Sequence, residues 1–181
     1  MKWMIASDIH GSEKFLNKLI ERMEAEKPER IMLLGDLLYH GPRNDLPEGY
    51  APKKVIDILN SIREKLFCVR GNCEAEVDQM VLKFPVLAEY ALIEANGRMI
   101  YATHGHHAGE TNPPPFKNED ILLCGHTHVP KCTEHEGFVY MNPGSVSIPK
   151  DGSARSYMMM ENGLFEWKKL EDGSVYMEYR I

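Results

Sequence analysis

Short apolar runs alternate with amphipathic stretches through the first half of this chain, and that alternation leaves few ways to fold it. Residues 2–7 read as a strand. Residues 13–26 read as a helix, with Ser12 at its N-cap and Phe15, Leu16, Leu19, Ile20 and Met23 on one stripe. A second strand is expected at 30–34. A helix at 52–64 then carries Pro52 in its first turn and turns Val55, Ile58, Leu59 and Ile62 inward. A third strand at 66–69 and a helix at 75–82 complete a βαβαβα pattern, which predicts a parallel sheet with right-handed crossovers.

The second half has a different rhythm. Strands are expected near 86–94, 98–103, 121–124, 129–135, 138–141, 156–160, 164–170 and 174–180. Asn96-Gly97, Asn162-Gly163 and Asp172-Gly173 sit between them as hairpin turns. This predicts a second, mixed or antiparallel sheet packed on the first, with helices outside at least the first. Two long polar loops, 37–51 and 105–119, interrupt the pattern, and loops of that length in a compact fold are commonly functional.

At 181 residues the chain is expected to form one domain, 1–181, able to bury its own core. Its net charge of −6 and the lack of any Lys/Arg run argue against a long nucleic acid or a membrane surface as partner. No run approaches the roughly 20 apolar residues of a membrane span, and no cleavable apolar segment precedes the first strand. The cysteines form no C-x-x-C pair, and Cys68 and Cys124 fall within apolar runs as small buried hydrophobes. A reducing cytoplasm fits this usage. The sequence leaves the oligomeric state open, a homo-oligomer included.

Five motifs carry the chemistry. They are Asp8-Ile9-His10, Gly35-Asp36, Gly71-Asn72-Cys73-Glu74, Thr103-His104-Gly105-His106 and Gly125-His126-Thr127-His128. Each places His, Asp or Asn at or just past the end of an apolar run, and ligands gather at the carboxyl ends of parallel strands. The i, i+2 spacing of Asp8/His10 and His126/His128 lets both members of a pair point one way along an extended chain. Alone, Asp8 reads equally as a helix N-cap and Asp36 as a turn residue. Together, Asp8, His10, Asp36, Asn72, His104, His126 and His128 offer a carboxylate able to bridge, an amide oxygen and imidazoles, the ligand chemistry of a binuclear hydrolase centre. His40, His106 and His107 are loop residues near this set, with His106 a candidate substrate contact. His135 lies among glutamates and is expected to be solvated. Arg43 and Asn44, in the first long loop, are candidate phosphate or substrate contacts, and Arg43 reads equally as a residue that orders the loop.

In order and spacing, the D-x-H, GD, GN, H and GHxH motifs resemble those of calcineurin-like metallophosphoesterases. The stretches GDLLYHGPRNDLPEGYAP, RGNCEAEVDQM and MNPGSVSIPK are similar to small bacterial phosphodiesterases of the YfcE type. The resemblance implies a four-layer α/β/β/α sandwich. It also implies hydrolysis of small phosphodiesters by a hydroxide bridging two divalent ions, Mn²⁺ or a similar metal. It assigns Asp8, His10, Asp36 and His128 to one ion and Asp36, Asn72, His104 and His126 to the other. A phosphomonoesterase on the same site, or a protein-binding scaffold like the retromer subunit of this superfamily, remains an alternative. The chain departs from the family pattern at Cys73, where a His is usual. A His there would touch a phosphate oxygen and assist the leaving group, and a neutral thiol is a weak donor.

Overall fold

The computed structural model describes residues 1–181. Strands β1 (Trp3–Ala6), β2 (Arg30–Leu33) and β3 (Leu66–Cys68) run parallel, with helices α1 (Glu13–Glu26) and α2 (Pro52–Ser61) as the crossovers and α3 (Glu76–Val81) after the third strand. The Ser12 hydroxyl accepts from the Phe15 N–H and starts α1, and Lys27 in the left-handed region ends it. Pro52 has no N–H to leave unpaired and opens α2. That helix stops at Ser61 rather than at 64. A 3₁₀ turn over Arg63–Lys65 tightens its end and delivers the chain to β3.

Five strands make the second sheet: β4 (Ala91–Ala95), β5 (Arg98–Ala102), β6 (Asp120–Leu123), β7 (Pro130–His135) and β8 (Phe138–Pro143), ordered β4-β5-β6-β8-β7. It is mixed, with β5, β6 and β8 parallel and the outer pairs antiparallel. The strand expected at 86–94 is shorter and starts later. Around Pro85 the chain buries Leu82, Phe84 and Val86 by packing rather than by pairing, and Gln79 serves the backbone there.

The last three strands, β9 (Ser156–Glu161), β10 (Leu164–Lys169) and β11 (Val175–Arg180), do not join the second sheet. They extend the first, in the order β11-β10-β9-β1-β2-β3, with β9 antiparallel to β1. The composition of β9 explains this placement. Tyr157 and Met159 enter the core under the helices while Met158 and Met160 enter the core between the sheets, so the strand is apolar on both faces and needs a central position. Asn96-Gly97 and Asn162-Gly163 both have two positive φ values (51° and 80°; 50° and 76°), the mirror-image turn that suits strand twist. The Asp172-Gly173 connection is a longer loop, in which the Asp172 carboxylate takes the Ser174 N–H and hydroxyl.

β1 shows how the layers form. Met4 and Ala6 face α1 and α2, while Trp3 and Ile5 face the second sheet, where they share a core with Ile100, Ile121 and Met141 of that sheet and Trp167 of β10. The outer face of the second sheet carries a small cluster of Leu122, Cys124, Phe138 and Tyr140 under Phe116 of the loop 105–119. The result is two mixed sheets face to face, flanked by few helices. No helix is long and apolar enough to cross a membrane. All four cysteines are free, and Cys68 and Cys124 are buried.

Candidate metal centre

The seven candidate ligands lie on loops at one edge of the paired sheets, and the backbone there is unusual. Asp8, His10, Asp36, His126 and His128 have φ of 58°, 48°, 56°, 67° and 62°. The Asp8/His10 and His126/His128 pairs therefore do not sit on extended chain, as their spacing suggested, but in left-handed turns. Such residues cost roughly 1–3 kcal/mol each and persist where the surroundings over-determine them. Here the surroundings are backbone bonds between neighbouring loops: Asp8 N–H to Gly35 O (3.1 Å), His10 N–H to Asp36 O (2.8 Å) and Gly125 N–H to His104 O (3.0 Å). The Ser145 and Ser147 hydroxyls both donate to Asp8 O, at 2.9 and 3.0 Å. Gly35 and Gly71 are needed for close approach, since a Cβ on Gly35 would lie 2.5 Å from Gly71 N.

These constraints bring the side chains into two clusters. In one, Asp8 Oδ1 lies 3.5 Å from His10 Nε2 and 3.1 Å from His128 Nε2, and the two ring nitrogens are 3.2 Å apart. In the other, His104 Nε2 lies 3.1 Å from Asn72 Oδ1 and 3.2 Å from His126 Nδ1. Asp36 Oδ2 stands between them, 3.6 Å from His10 Nε2 and 3.5 Å from His104 Nε2. Asp8, His10, Asp36, His104 and His128 are buried, His126 is half-buried and Asn72 is exposed.

The donor set fits divalent cations. His10, His104 and His128 each commit Nδ1–H to a backbone carbonyl, of Tyr39, Leu34 and Ile148, at 2.8, 2.6 and 2.7 Å. That turns Nε2 inward as the atom that would ligate a cation once its proton is given up. The inward nitrogens therefore face one another and two buried carboxylates, with no Lys or Arg paired to either acid. The field of the site reflects this demand for positive charge. Burial would raise Asp8, yet the His10 and His128 bonds outweigh it and hold it well below the carboxylate range. Burial would lower His104, yet its bond to Asp36 and the Asp8 charge push it up to about 9.

The remaining candidates divide. The Cys73 N–H donates to Asp36 Oδ1 at 2.9 Å, and burial followed by the Asp36 charge pushes its thiol up, so it stays neutral. His106 lies beside His104, ring centres 5.3 Å apart, and burial with the His104 charge lowers it to about 4. Asn44 turns inward on its own loop, donating to His40 O at 2.9 Å. Arg43 is exposed, and its charge acts on His126 across the opening. His40 packs between Tyr39 and Tyr50, His107 is exposed near Glu89, and His135 is exposed and bonded to Glu110.

Glu74 has a role that its place in the motif did not suggest. Its buried carboxylate accepts three backbone N–H groups, from Asp36 (2.9 Å), Leu37 (2.7 Å) and Gly71 (2.5 Å), and so ties two ligand loops together. Burial and the Asp36 charge push it up to about 7 against those three donors. The available signal was an acid beside two glycine turns whose N–H groups need acceptors. Glu74→Ala is expected to lower unfolding free energy by about 3 kcal/mol, because it strands buried donors. Glu74→Gln, which keeps one acceptor oxygen, should recover part of the loss. Equal denaturant midpoints for wild type and Glu74→Ala would contradict this.

Residues 1–163 match the model of the calcineurin-like phosphoesterase superfamily domain. Phosphodiesterase YfcE of Escherichia coli (strain K12) is 43% identical over 181 residues, covering 100% of this chain and 98% of that protein. The solved structure of this E. coli phosphoesterase superimposes with a TM-score of 0.96 over the whole of both chains. Probable metallophosphoesterase YsnB of Bacillus subtilis (strain 168) is 26% identical over 88% of this chain and 83% of its own length. Wild-type Vps29 of Entamoeba histolytica, solved with Zn²⁺, shares the fold at a TM-score of 0.62 and 22% identity, covering 100% of this chain and 98% of its own.

Proposed function

We propose that this chain, which belongs to the calcineurin-like phosphoesterase superfamily, hydrolyses small phosphodiesters at a centre for two divalent cations. One observation carries the reading: Asp36 Oδ2 stands 3.6 and 3.5 Å from the His10 and His104 nitrogens of two separate clusters, within reach of both. Asp8, His10, Asp36 and His128 would hold one ion. Asp36, Asn72, His104 and His126 would hold the other. Oxygen and imidazole ligands suit Mn²⁺ among the available divalent ions. Such cations supply water activation and neutralisation of phosphoryl charge.

The protein's own part is orientation. Carbonyl oxygens of Tyr39, Leu34 and Ile148 hold three imidazoles with Nε2 inward, and the Glu74 carboxylate fixes the loop that presents Asp36. The overall reaction adds one water across a P–O bond, giving a phosphomonoester, an alcohol or phenol, and a proton. Neither the neutral Cys73 thiol nor His106, lowered to about 4, is a strong proton donor near neutral pH. Diesters whose leaving group departs as a stable anion are therefore the favoured substrates.

The test is metal removal. Bis(p-nitrophenyl) phosphate hydrolysis should vanish after exhaustive chelation and return with Mn²⁺, at close to two ions per chain by elemental analysis. Full turnover in verified metal-free protein would rule the proposal out.

A further inference from the structure

Two cavities of opposite character open beside the ligand clusters. The first, about 440 Å³, lies between the loop 43–48 and the segment 147–150. Its floor is tied to the centre, because Ile148 O takes the His128 Nδ1–H at 2.7 Å and the Lys150 N–H donates to His128 O at 3.3 Å. Its walls carry Arg43, Lys150 and Arg155. Arg43 and Lys150 are exposed and form no ion pair, while Arg155 lies over the Phe15 ring at 3.9 Å with Nε donating to Ser147 O. Two carboxylates also line it, but Glu48 is already paired with Lys14, which leaves Asp45 as the one free acid against three cations.

The second cavity, about 330 Å³, lies under the loop 105–112 and reaches Gly125 and Thr127. No Lys or Arg lines it. Its polar side chains include His106, His107, Asn112, Thr127, Tyr140 and the acid Glu110, which is bonded to Lys131 and His135. A chain with a net charge of −6 thus places unpaired cations at one side of this site and none at the other.

We infer that the substrate is an unsymmetrical phosphodiester, one arm of which bears a second anionic group such as a phosphate, held by Arg43 and Lys150. The inference rests on the phosphodiesterase reading above. The scissile phosphorus lies at the ligand clusters. The anionic arm lies in the cationic cavity, and the uncharged arm lies among the imidazoles and hydroxyls of the other. The volumes suit arms of about nucleoside size.

The experiment compares two diesters with the same p-nitrophenolate leaving group, the p-nitrophenyl ester of thymidine 5′-phosphate and the same ester carrying an additional 3′-phosphate. Wild type should prefer the second by roughly tenfold in kcat/KM at low ionic strength, through KM, as expected for a few exposed charge contacts. The preference should shrink as salt screens it. In Arg43→Gln/Lys150→Gln the ratio of the two kcat/KM values should fall to near one, and Lys150→Glu should turn it below one. Calorimetric titration of the protein as purified with thymidine 3′,5′-bisphosphate and thymidine 5′-phosphate should give the same order of affinities, lost in the double variant. No preference in wild type, or an undiminished preference in the double variant, overturns the inference. Absence of any diester turnover would instead sink the phosphodiesterase reading, while the titrations still decide this one.

Discussion

Asp36→Asn is expected to lower kcat/KM on bis(p-nitrophenyl) phosphate by at least roughly 10³ and to reduce bound metal, because cation assistance is worth several kcal/mol. The Asp36 carboxylate is used three ways. Oδ2 lies between His10 and His104, Oδ1 accepts the Cys73 N–H at 2.9 Å, and its charge raises His104. An amide of the same size keeps the packing but removes the charge that both clusters share. It also places either an oxygen or an N–H₂ where only an acceptor serves. Asn44→Ala is the matched contrast. Its amide donates to His40 O within the loop 37–51 and touches none of the seven candidate ligands, so its loss should cost no more than about tenfold, the scale of one ordinary hydrogen bond. Elemental analysis with steady-state kinetics on both variants checks the pair. Near-normal metal content and turnover in Asp36→Asn would show that Asp36 does not link two ion sites.

Much of this was legible in the sequence because it is local. The crossovers were readable because Ser12, Pro52 and the apolar stripes of α1 and α2 are punctuation with a mechanism. The convergence of the five motifs was readable because strand ends in a parallel sheet share one edge. What escaped was non-local or dihedral. Residues 156–160 read as a strand, but its pairing with Trp3–Ile5 depends on which neighbour lets it bury both faces. The left-handed turns carry no local mark, since they are held by bonds from other loops rather than by glycine: Asp8 and His10 by Gly35 O, Asp36 O and the Ser145 and Ser147 hydroxyls, His126 and His128 by Asp8 Oδ2 and the Lys150 N–H. Glu74 escaped for a related reason. Its partners are backbone N–H groups, which have no signature in a list of side chains.

Cys73→His is expected to raise kcat/KM on 2′,3′-cyclic nucleotides by about 10²–10³. The thiol sits beside the centre, its backbone N–H on Asp36 Oδ1 and its Sγ 3.3 Å from the Asn72 amide nitrogen. Burial and then the Asp36 charge push it up, so the neutral form prevails and offers the phosphate little. An aryl diester tolerates this, because a phenolate departs without a proton. The alkoxide of a cyclic nucleotide does not. A histidine at 73 would place a charge-assisted N–H beside the charge that develops on the phosphoryl and leaving oxygens, a contact worth on the order of 2–4 kcal/mol. Gly41 packs close to the thiol, where an added Cβ would stand only 3.3 Å from Cys73 Sγ, so a side chain at 41 would crowd the larger ring. Cys73→Ala should stay within about tenfold of wild type on aryl diesters, as expected when only a weak donor is lost. Measuring both variants on both substrate types separates the roles. If Cys73→Ala abolished aryl diester hydrolysis with its metal intact, the thiol would be a participant in bond-making, and the account of it as a weak neutral donor would fall.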